Sequence, residues 1–157
     1  MPPLSDSEHG TIMSFTTGRG YLDAAKLVVS HPEYWDRRIP LAPAVYCLLA
    51  FSIEFLLKCF LLKKGVKESE LKRRDIRHSI DVLYELCRKN GLTSVPLLEA
   101  QLQILAANHK ESEFRYLRRT TKYEPINPAE VVSAIEHLSV EIEREIDPMS
   151  FLDRLQD

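Results

Sequence analysis

Apolar residues along this chain recur at helical spacing in five places, and nowhere do they alternate as a strand requires. Tyr21, Ala24, Ala25 and Val28 mark a first helix, which Pro32 closes at about His31. A connector from Glu33 to Pro40 carries the single tryptophan, Trp35. The next helix starts near Leu41, takes Pro43 in its first turn and runs to Lys64 before Gly65. Val45, Leu49, Ile53, Leu56, Phe60 and their neighbours make it apolar nearly all round, which suits either a membrane span or the centre of a bundle.

Length alone allows a span, because Ala44 to Leu62 approaches the roughly 20 residues that a bilayer needs. Glu54 and Lys58 decide against it. They stand near the middle, where each charge costs about 2.5–3.5 kcal/mol on insertion. Spaced i, i+4 with the acid first, they neutralise one another on one face of a helix packed within protein. No membrane association is expected.

Lys67 to Arg77 reads as a charged loop with room for one helical turn. Ile76, Ile80, Leu83 and Cys87 mark a third helix, stopped by Asn90-Gly91. Ser94 and Pro96 open a fourth, with Leu98, Leu102, Leu105 and Ala106 on one face and an end near Asn108. Phe114 to Glu124 reads as an irregular return. Asn127-Pro128-Ala129-Glu130 combines an N-cap, a proline at N1 and an acid at N3. The helix it starts buries Val131, Ile135, Leu138 and Ile142 and stops before Pro148, and Phe151 to Leu155 adds a last turn. The expected fold is all-α, an up-and-down bundle of four to five helices over residues 15–147. Residues 1–14 read as a flexible tail and 148–157 as a C-terminal extension.

The 157 residues, 45% of them hydrophobic, suit one domain with a core of its own. Cys47, Cys59 and Cys87 lie in apolar helical runs without CxxC spacing, so reduced, buried thiols are expected. The opening residues do not resemble a secretory leader, and a cytoplasmic location is expected. The net charge of −2 is unevenly spread. Lys63 to Arg77 holds seven bases against three acids, and Glu130 to Asp147 holds six acids against one base. The first stretch suits phosphate and the second a basic partner, although both also suit plain solvated surface.

Most catalytic signatures are missing. There is no Gly-rich phosphate loop, no HExxH, no GxSxG and no papain-like cysteine context. The five histidines are scattered, which argues against a locally assembled metal site, and neither metal nor cofactor is expected. Three features stand out. Glu54 with Lys58 must pair or reach a polar pocket, serving either a ligand or the joining of helices. Arg77-His78-Ser79-Ile80-Asp81 places a titratable imidazole at a helix start, where capping by His78 or Ser79 is the plainer role. Phe114-Arg115-Tyr116-Leu117-Arg118-Arg119 mixes aromatics with guanidinium groups, suited to stacking on bases or to pinning a loop to the bundle.

In order, these features resemble a HEPN domain. Tyr21-Leu22-Asp23-Ala24-Ala25 opens the series. Leu48-Leu49-Ala50-Phe51-Ser52-Ile53-Glu54-Phe55-Leu56-Leu57-Lys58 is similar to that family's "Leu-small-x-Ile-Glu-x-x-Leu-Lys" helix. Arg77-His78-Ser79-Ile80 with Leu83 stands where the family has a "Gly-His-Asp-Leu…Leu" helix start, and Phe114-Arg115-Tyr116 where it has an "Arg-Tyr" element. The likeness spans about Gly18 to Ile146. It implies a helical bundle that works as a homodimer, with nucleotides, RNA, a nucleotidyltransferase-type protein or an antitoxin as partners.

The ribonuclease branch of the family carries an arginine, four to six residues and then a histidine. Counted from Arg115, that window holds Thr120, Thr121 and Lys122. Arg73-x4-His78 fits the letters but precedes the wrong helix. The resemblance therefore implies a binding module without that catalysis, built on Glu54, Lys58, His78, Arg115 and Tyr116. His78 and Arg115 are the catalytic candidates if the chain is instead a metal-independent ribonuclease of a toxin–antitoxin or antiviral system.

Overall fold

A computed structural model describes residues 4–110 and 126–147. Within them the chain forms α1 (Asp6–Ser30), α2 (Arg38–Lys63), α3 (Glu68–Leu71), α4 (Ile80–Lys89), α5 (Pro96–Lys110) and α6 (Pro128–Ile146), and no strand. The all-α expectation holds, with α3 as the single turn in the charged loop.

The start of α1 differs from the expected tail. Ser5 and Glu8 form a capping box, Ser5 Oγ accepting from the Glu8 amide while the Glu8 carboxylate accepts from the Ser5 amide. This satisfies two of the backbone donors that an uncapped helix end leaves open, and the helix begins at Asp6. It ends where Pro32 dictates, with His31 at its C-cap.

Helix α2 is the axis of the fold and packs against α1, α4, α5 and α6. It is the one helix among the described residues long and apolar enough to cross a membrane, yet 72% of its most apolar window is buried inside the protein. It begins at Arg38, earlier than expected, so Pro43 lies inside the helix. The backbone hydrogen bond that Pro43 cannot donate falls beside the exposed Ile39.

Helices α1 and α2 are antiparallel: Gly10 lies by Leu62, Gly18 by Leu56, and Tyr21 stacks on Phe51. Ser52 Oγ donates to the Gly18 carbonyl at 2.8 Å, both groups buried between the two helices. Helices α4 and α5 form a hairpin pinned by Tyr84, whose hydroxyl donates to Glu99 at 2.8 Å and accepts from the Val95 amide at 3.0 Å. Helix α6 runs in the same sense as α2, with Ile126 donating to the Tyr46 hydroxyl at one end and Lys64 bridging Glu145 at the other. The chain therefore does not alternate direction at every step. The connection from Lys64 to Ser79 carries it back along α2 before α4 begins.

Asn127 starts α6 as its sequence implies, accepting from the Ala129 amide and donating to Glu130. The acidic face of α6 is partly used within the chain, since Lys26 bridges Glu136 and Lys64 bridges Glu145, each at 2.6 Å. Cys59 and Cys87 are buried free thiols, and Cys47 is half-buried. Burial pushes the Cys59 thiol up to about 12 and raises that of Cys87 as well.

Close contact between α1 and α2 depends on Gly18. A Cβ there would lie 2.9 Å from Leu56 Cγ and 3.1 Å from the Leu56 backbone nitrogen. Gly20, two residues on, is exposed and has open space around it. Gly18→Ala is expected to lower the unfolding free energy by about 1–3 kcal/mol through overpacking. Gly20→Ala is expected to raise it by about 0.5–1 kcal/mol through helix preference. Urea unfolding of the two single variants reads the opposite signs.

Candidate functional site

Glu54 lies midway along α2, on the face turned towards α4 and α5, and its side chain is 2% exposed. Three side chains converge on its carboxylate. Lys58, one turn along α2, donates to Oε1 at 2.5 Å. His109, in the last turn of α5, meets Oε2 through Nε2 at 2.5 Å and is 3% exposed. His78, in the turn before α4, places Nδ1 at 3.3 Å from both oxygens and is 40% exposed.

Aromatic rings wall this centre. Phe51 meets the His109 ring edge-on with centroids 4.9 Å apart, the two imidazoles lie edge-to-face at 6.1 Å, and Tyr21 stacks on Phe51 and Phe55.

Burial on its own would raise the Glu54 carboxyl, since it disfavours the charge. The hydrogen bond from His109 and the ammonium of Lys58 outweigh that and hold it down at about 2. The group is a carboxylate across the physiological range and only accepts, so His109 Nε2 and His78 Nδ1 carry the hydrogens in these contacts. An ionised carboxylate with such partners is a poor proton acceptor. What it does instead is fix the orientation of an ammonium and two imidazoles.

Lys58 connects this centre to a cleft. With its side chain 17% exposed, it lines a cavity of about 480 Å³ between the first turns of α1, the C-terminal half of α2 and the α2–α3 connection. Phe55, Leu62 and Leu71 form apolar wall, and Lys67 and Lys72 line the cavity together with Glu68 and Asp6. Lys72 pairs with Glu68 at 2.7 Å.

Of the residues singled out in the sequence, Glu54, Lys58 and His78 come together. Ser79 stands at the N-cap of α4, buried, but its side chain makes no capping bond. Arg115 and Tyr116 lie outside the described residues. His109 was missed, because the fourth helix was expected to stop near Asn108. Its signal is present all the same: with Leu98, Leu102 and Leu105 it falls at i, i+4, i+7 and i+11 on one stripe. No family model, curated protein or solved structure matches this chain.

Proposed function

We propose that this chain is a diverged HEPN-like domain that acts in the cytoplasm as a homodimer and binds a nucleotide or RNA phosphate without cleaving it. The observation that carries this reading is the double placement of Lys58, which is clamped by a buried carboxylate at 2.5 Å and also lines the cleft. A phosphate oxygen arriving there meets an ammonium held in position, with Lys67 and Lys72 nearby and Phe55 as a ring surface. Gly65 to Lys72 forms one flank of the cleft, and the stretch it belongs to, Lys63 to Arg77, carries seven bases against three acids and supplies the longer-range attraction. Leu27, Trp35 and Ile39, exposed at the turn between α1 and α2, offer the apolar surface that a dimer needs.

The test uses the full chain with fluorescein-labelled single-stranded RNA and with ADP. Binding by anisotropy is expected to weaken as salt rises. Lys67→Glu combined with Lys72→Glu should weaken it by about tenfold or more, two lost phosphate contacts being worth at least ~1.4 kcal/mol. Absence of binding to both probes, or equal binding by the double variant, sinks the reading.

A second reading, a metal-independent ribonuclease with a toxin–antitoxin or antiviral role, draws on the two imidazoles sharing one carboxylate, one of them within reach of solvent. Loss of the labelled RNA with the parent, and not with His78→Ala, would favour it.

A further inference from the structure

Glu54, His78 and His109 offer one carboxylate oxygen and two imidazole nitrogens that all lie within 4.8 Å of one another. They come from three separate elements, the middle of α2, the turn before α4 and the last turn of α5, so no short spacing in the sequence announces them. We infer that this cluster is a binding site for a first-row divalent cation of the zinc type, with a coordination position left open on the His78 side.

Ligand chemistry selects the ion. Two imidazoles and one carboxylate form a donor set for Zn2+ and its neighbours, whereas Mg2+ and Ca2+ prefer oxygen alone. Distances agree in part. Tetrahedral bonds of about 2.0–2.1 Å put neighbouring donor atoms about 3.3 Å apart. His78 Nδ1 already stands 3.3 Å from both Glu54 oxygens. His109 Nε2, at 2.5 Å from Oε2, has to withdraw by about 0.8 Å. The hydrogens on His109 Nε2 and His78 Nδ1 also have to leave those atoms, for the other nitrogen of each ring or for solvent, so that the lone pairs face the ion. His109 sits edge-on to Phe51 and is 3% exposed, so this movement is made within the core. His78, 40% exposed, is the entry side.

Lys58 is the competitor. Its ammonium holds Oε1 at 2.5 Å, so a cation arriving at Glu54 meets a like charge beside the oxygen it needs. The cation and the Lys58 ammonium therefore compete for one carboxylate, and displaced Lys58 turns into the cleft that it already lines. This competition separates a metal site from a merely structural network, because the two make opposite predictions for Lys58.

The experiment titrates Co2+ into the EDTA-treated, dialysed full chain, follows the visible ligand-field bands, and then displaces Co2+ with Zn2+. One equivalent is expected, with the bands of four- or five-coordinate Co2+. His78→Ala removes a half-buried ligand at the edge of the core and should keep its helical circular dichroism. Its affinity should fall by more than the 10–100-fold that loss of an outer-shell partner brings. Lys58→Met should bind about tenfold more tightly than the parent, the gain expected from removing a like charge worth ~1.4 kcal/mol at that range. Absence of bound Co2+ at one equivalent, equal affinity in His78→Ala, or no tightening in Lys58→Met overturns the proposal. None of these readings depends on RNA, so it can fail while the binding function stands.

Discussion

Glu54→Gln is expected to lower the unfolding free energy by about 3–5 kcal/mol, read as a shift of the urea midpoint followed by circular dichroism. The carboxylate is 2% exposed and takes hydrogen bonds on both oxygens, from Lys58 at 2.5 Å and His109 at 2.5 Å. An amide of the same shape keeps one acceptor and turns the other atom into a donor. Either Lys58 or His109 then faces an N–H in place of an oxygen, and the Lys58 ammonium keeps its partly buried position without a counter-charge. Removing one partner of a buried pair is costly for this reason, whereas removing both is much less so. Glu54→Leu combined with Lys58→Met should accordingly be less destabilised than Glu54→Gln, with only His109 and the outer His78 left unmatched. A loss below about 1 kcal/mol in the single variant would mean that the carboxylate reaches water, as an exposed ion pair does.

The same pair shows what was readable in the chain. An acid and a base at i, i+4 inside a helix that is otherwise apolar all round leave few choices, and burial within a bundle follows from the charge alone. Punctuation was equally plain. Pro32, Asn90-Gly91 and Asn127-Pro128-Ala129-Glu130 act through local sterics and local hydrogen bonds, and each sits at the boundary it marks. Gly91, at φ 95°, takes the left-handed conformation that ends α4.

The opening turns of α1 were harder to see. Between Asp6 and Gly20 that helix is rich in serine, threonine and glycine, and at Gly18 it lets α2 approach rather than supplying a large apolar side chain. Hydrophobic periodicity is silent at such a face. The direction of α6 relative to α2 was not legible either, since it depends on how the Lys64–Ser79 connection returns. His109 was hidden for a third reason. A histidine at the end of an apolar stripe looks like frayed helix until the buried acid that it answers is located in space.

Acid should unfold the parent protein through this same carboxylate. With EDTA present, so that Lys58 rather than a cation faces Glu54, the relevant window runs from the ordinary carboxyl value of 4.5 down to about 2. In the unfolded chain Glu54 takes up its proton near the upper limit, and in the folded protein only near the lower one. Between the two the unfolded state binds more protons, so stability falls as the pH falls. The contribution is fully present above the upper limit and is lost as pH drops through the lower. Its size is about 3 kcal/mol, from ~1.36 kcal/mol for each tenfold change in proton affinity.

Other carboxylates titrate in this range too, so the informative quantity is the difference between the parent and Glu54→Gln. That difference should be full at pH 6 and shrink by about 3 kcal/mol towards pH 2, because the amide has no proton to gain. Urea midpoints that move in parallel for both proteins across this window would show that Lys58 and His109 do not hold the carboxylate charged, and would remove the electrostatic basis of the centre.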